Sequence, residues 1–144
     1  MKIRYIRTGR TVDVTAKAAP SETSYFPGLH LTINFEDGKT RELRIVSANW
    51  GLPGYYIYDE TNGYCSIING YLPGDYDEPM DLKALPEIVI KRLVRSYVLI
   101  TLANIFSNFG WEYAEHTYNN KHLPDELQNA INNFVDLEYE RILR

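Results

Sequence analysis

Residues 29–46 read LHLTINFEDGKTRELRIV, and this stretch decides the fold. Leu29, Leu31, Ile33 and Phe35 alternate with His30, Thr32 and Asn34, the period-2 pattern of a strand with one buried face. Asp37-Gly38 is a strong hairpin signal, and residues 40–46 return as the partner strand. An antiparallel pair is therefore expected toward the end of the first third of the chain.

Working outward toward the N-terminus, residues 2–7 and 11–17 alternate in character and are joined by Thr8-Gly9-Arg10, a short glycine-containing connection. A Pro/Ser/Thr-rich loop at 19–28 links them to the central hairpin. On the other side, aromatic and β-branched residues at 55–58 and 64–68 predict a weaker hairpin with Asn62-Gly63 in its turn. Residues 70–79, GYLPGDYDEP, read as an irregular loop. Leu52-Pro53-Gly54 and Leu72-Pro73-Gly74 echo each other, but two copies fall short of a repeat architecture.

The last 60 or so residues are helical in pattern. Pro86 suits a first helical turn, followed by the acid Glu87, and Gly110 is a natural stop. Between them Ile88, Val89, Leu93, Val94, Tyr97, Val98, Ile100, Leu102, Ile105 and Phe106 cover most of the circumference, which predicts a central helix over 86–109. A second helix, 124–143, opens at Pro124-Asp125-Glu126. It carries Leu127, Ile131, Phe134, Val135 and Ile142 at helical spacing, with Asn, Gln and acids opposite. Strands first and helices afterwards give the α+β class. The expectation is one domain over 1–144: a meander of about four to six strands packed on the apolar helix, with the amphipathic helix alongside.

The bulk values suit a globular chain of 144 residues, 44% hydrophobic and 24% charged. At this length roughly 68–70% of the unfolded surface can be buried, enough for a core without staples. A lone cysteine, Cys65, excludes an internal disulfide and suits a reducing, cytoplasmic setting. The charged N-terminus lacks the apolar core of a secretory signal, and Lys91, Arg92 and Arg95 interrupt the longest apolar run, so no membrane span is expected.

Charge is unevenly distributed. Residues 45–82 contain no lysine or arginine, and this gap holds six carboxylates and half of the 12 tyrosines. Elsewhere 15 cations face 13 acids, so the formal charge of −4 arises in the gap. The first 46 residues hold eight bases, including Lys2, Arg4, Arg7, Arg10, Arg41 and Arg44, against five acids. Such a small excess in an acidic chain argues against direct nucleic-acid binding.

Motif chemistry is sparse. No phosphate loop, HExxH, CxxC or GxSxG pattern occurs. Glu112, Glu115, His116 and His122 could hold a divalent metal only if Glu112 and His116 shared a helical face beyond Gly110. The acids of 75–81 lack the glycine and bidentate glutamate of a calcium loop. Cys65 with His30 is the one thiol–imidazole pairing with both partners on expected strands, and Asp59-Glu60 reads as a polar hairpin tip. No metal, cofactor or catalytic group is assigned.

What remains is a binding surface. Tyrosine offers large contact area at low rotamer cost, and neighbouring carboxylates steer cationic partners. The candidate residues are Tyr71, Asp75, Tyr76, Asp77, Glu78 and Asp81 in the loop, with Asp59, Glu60, Tyr56 and Trp50 beside them. The leading expectation is a non-catalytic protein-binding module, of inhibitor or immunity type, facing a basic partner such as a nucleic-acid-binding protein. A small-ligand or carbohydrate binder is the alternative, and a small enzyme with a site scattered through the sequence is the third. The exposed hairpin edge also offers a route to pairing with a second copy.

Overall fold

The computed structural model describes residues 1–20, 27–47, 55–59, 64–68, 82–113 and 123–143. Among these residues seven strands, β1 (Lys2–Tyr5), β2 (Thr11–Ala19), β3 (Gly28–Asn34), β4 (Thr40–Ser47), β5 (Tyr55–Asp59), β6 (Tyr64–Ile68) and β7 (Trp111–Tyr113), form one antiparallel sheet. Its order is β6-β5-β4-β3-β2-β1-β7. Two helices, α1 (Glu87–Phe109) and α2 (Asp125–Leu143), pack with the sheet, and a short 3₁₀ turn at Leu82–Ala84 precedes α1. The α+β arrangement expected from the sequence is the one observed.

The first six strands form a meander in chain order, each hydrogen-bonded to the next. In the β3–β4 hairpin, Leu31 pairs with Leu43 and Leu29 with Ile45, so the period-2 residues share a side. All four are buried, along with Ile33 in β3, Val14 in β2 and Ile3 in β1. Gly38 in the intervening turn sits at φ +84°, a conformation that glycine adopts without strain.

β7 is the strand the sequence left unread. Helix α1 ends at Gly110, which takes the left-handed conformation (φ 66°, ψ 41°) and donates its N–H to the Phe106 and Ser107 carbonyls. The chain then turns back into the sheet instead of resuming a helix. Trp111 is buried and lies in an aromatic cluster: it stacks on Phe109 at 4.8 Å between centroids and meets Phe106 edge-on at 5.8 Å. Burying this ring outweighs the weak local signal of a three-residue strand.

The helices divide the work unequally. α2 lies over β2 and β3, while α1 packs against α2 and reaches β7 and β5. The amphipathic helix thus occupies the centre of the sheet's inner face, with Leu127, Ile131 and Phe134 fully buried. α1 buries Ile90, Val94, Tyr97, Val98, Leu102 and Ile105 but leaves Ile88 58% and Ile100 49% exposed. An all-round apolar pattern measures how much surface a helix could bury; it does not fix which helix lies over the strands.

Candidate interaction surface

The cation-free run begins in β4, just after Arg44, and ends at the turn before Lys83. Its two described strands, β5 and β6, are the last two on that side among the described residues, where β6 pairs with β5 alone. Of the residues singled out by sequence, Tyr56 and Asp59 fall in β5. Tyr56 is in register with Val46 and Ile67, and Asp59 with Leu43 and Tyr64. Trp50, Glu60, Tyr71, Asp75, Tyr76, Asp77, Glu78 and Asp81 lie outside the described residues.

The register separates two rows. Ile57 is opposite Ile45, which is buried toward the helices, whereas Tyr56 and Tyr58 fall in the rows of Val46 and Arg44. One row runs across five strands: Lys17, His30, Arg44, Tyr58 and Cys65. It places two strands between His30 and Cys65, a separation of about 14 Å at the usual inter-strand spacing. A thiol–imidazole pair between them is excluded by that distance.

His30 sits between Lys17 and Arg44 in this row. Burial, then the Arg44 charge, lower its pKa from the ordinary 6.5; Lys17 acts in the same direction and Glu42 against it. A Cβ at Gly28 would come within 2.9 Å of the Arg44 side chain and of His30 Nε2, so both side chains lie over this glycine. The native state therefore disfavours the imidazolium. The unfolded chain takes up the proton first, so stability held above about pH 6.5 is lost as the pH falls below it. A His30→Asn variant should lose less of its urea midpoint than the wild type on going from about pH 7.5 to about 5.5. Equal losses in the two proteins would contradict this account.

The basic residues of the first strands do not gather. Arg4 is held by Glu112 at 2.7 Å across β1 and β7, Arg41 lies 5.2 Å from the Phe109 ring centroid, and Arg44 covers Gly28. Glu112 is thereby an ion-pair partner on a strand, not on a helix. Glu115, His116 and His122 lie outside the described residues, as do the acids of 75–81. Among the described residues no group of three or more His, Cys, Asp or Glu side chains could hold a metal ion. No described helix is long and apolar enough to cross a membrane.

A groove of about 590 Å³ runs between the first turns of α1 and the middle of α2. Its cations are largely engaged: Lys91 meets Glu87 at 2.8 Å and Asp136 at 3.0 Å, and Arg95 donates to Asn132 Oδ1 at 2.6 Å. Lys91 also lies 5.1 Å from the Tyr139 ring centroid. This is a seam that ties α1 to α2. Comparison of the chain with protein-family models, curated proteins and solved structures gave no match.

Proposed function

We propose that this chain is a non-catalytic protein-binding module whose acidic, tyrosine-rich segment engages a basic partner surface. The observation that supports this reading is the strand order. β5 and β6 are the terminal pair of the described sheet, so the two described strands that lie wholly within the cation-free run stand at one edge, on the far side of β4 from Lys17 and Arg4. Carboxylates grouped at one end of a domain accelerate association with a cationic partner and repel acidic competitors. A terminal strand also offers backbone donors and acceptors for strand addition, which would supply affinity where the charges supply steering.

Within this reading Tyr71, Asp75, Tyr76, Asp77, Glu78 and Asp81 make the first contacts, with Trp50, Tyr56, Asp59 and Glu60 flanking them. An inhibitor or immunity-type role in a reducing cytoplasm follows if the partner is a nuclease or another nucleic-acid-binding protein.

The test is affinity capture from the native cell followed by mass spectrometry, with Asp75, Asp77, Glu78 and Asp81 changed together to lysine as control. The wild type should retain a basic protein whose association rate falls about tenfold or more in the control and weakens steeply with salt. If alanine at Tyr56, Tyr76 and Asp77 leaves binding to that protein unchanged, the proposal fails.

A further inference from the structure

A second surface is built by turns that join β1 to β2 and β3 to β4. The β1–β2 and β3–β4 turns stand side by side at one end of the sheet and enclose a cleft of about 500 Å³. Its floor is apolar: Val12 is buried, and Tyr5 and Phe35 are partly buried against the core. Tyr5 is steadied by an edge contact to Trp111, 6.2 Å between centroids. The volume falls within the range of about 300–1,000 Å³ usual for small-molecule sites.

The walls are turns closed by their own hydrogen bonds. Tyr5 N–H donates to the Arg10 carbonyl at 2.9 Å and Gly9 N–H to the Tyr5 carbonyl at 2.8 Å. Across the cleft, Phe35 N–H donates to the Lys39 carbonyl at 2.9 Å, and Lys39 N–H to Asp37 Oδ1 at 3.0 Å. Arg10 stands on one wall and Glu36 on the other. Arg10 and Glu36 line the same cleft with opposite charge, yet neither side chain has an ion-pair partner among the described residues. Asp37, by contrast, is occupied by its own turn and by Lys39 Nζ at 4.0 Å.

A separated cation and carboxylate above an aromatic floor match a ligand carrying both charges and an apolar body. We infer that this cleft binds a free α-amino acid with an aromatic or large apolar side chain. Its carboxylate would take the Arg10 guanidinium, whose forked donors suit a carboxylate, and its ammonium the Glu36 carboxylate. The side chain would lie against Tyr5, Phe35 and Val12. Thr11 also lines the cleft, and its hydroxyl would accept a second ammonium hydrogen. The site is independent of the acidic edge.

Isothermal titration calorimetry with L-phenylalanine, L-tyrosine, L-leucine and L-methionine tests this directly. At least one should bind. N-acetyl-L-phenylalanine, which lacks the ammonium, and L-phenylalanine amide, which lacks the carboxylate, should each bind at least tenfold more weakly than L-phenylalanine. Arg10→Gln and Glu36→Gln lie on exposed turn positions and should fold normally by circular dichroism, each with a loss of tenfold or more. The lysine-substituted 75–81 variant should bind the amino acid as the wild type does. No heat from any of the four amino acids up to about 10 mM would overturn the inference, as would binding that survives both glutamine variants unchanged.

Discussion

Phe134→Ala is expected to destabilise the fold by about 3–5 kcal/mol, the range for emptying a fully buried aromatic site. Phe134 has no exposed surface and lies on α2, the helix seated over β2 and β3. Against a total stability of about 5–15 kcal/mol for a domain of this kind, the loss would bring the protein close to unfolding at ambient temperature. The contrasting substitution is Ile100→Ala on α1. Its side chain is 49% exposed, and its replacement should change stability by about 0.5 kcal/mol or less. Urea titration of both variants, with a shared m-value, ranks the two helices. If Ile100→Ala were the costlier change, α1 would be the helix that carries the centre of the core.

That ranking bears on what the sequence made legible. The β3–β4 hairpin was readable because alternation, the Asp37-Gly38 turn and tertiary burial all agree. The bounds of α1 were readable because Pro86 and Gly110 are stereochemical stops. The layer each helix takes was not, because helical periodicity describes a single element and is silent about its neighbours. α1 is apolar nearly all round yet leaves Ile88 and Ile100 exposed, while the half-polar α2 buries its stripe completely. β7 escaped notice for a related reason: three residues carry no period, and only the docking of Trp111 onto Phe106 and Phe109 makes them a strand. The acidic segment was legible as composition alone. Its attachment to a terminal strand pair needed the sheet order, and the amino-acid cleft needed two turns brought together from residues 5–12 and 35–37.

One buried pair could have been found from spacing and was passed over. Glu138 and Arg141 continue the stripe of Leu127, Ile131, Phe134 and Ile142 at intervals of three and four, so helical geometry puts both on the inner face. Arg141 donates from Nε to Glu138 Oε1 at 2.7 Å and from Nη2 to Oε2 at 3.1 Å, a two-point pair in the core. Arg141→Met should cost about 3–5 kcal/mol, because it removes the cation that meets a buried carboxylate at two points. Replacing both residues at once, Glu138→Leu with Arg141→Met, removes the charge and its need together. The double variant should fall near the wild type or exceed it by about 1–4 kcal/mol, despite the large loss in the single variant. Equilibrium unfolding of the four proteins gives the coupling energy directly. A single variant within about 0.5 kcal/mol of wild type would mean that groups other than Arg141 compensate the Glu138 carboxylate. If the cycle behaves as expected, the pair adds little net stability, and its effect is on how α2 seats. Two charges that must meet inside the core penalise any rotation or sliding of the helix that separates them, which an unbroken apolar stripe over β2 and β3 would tolerate.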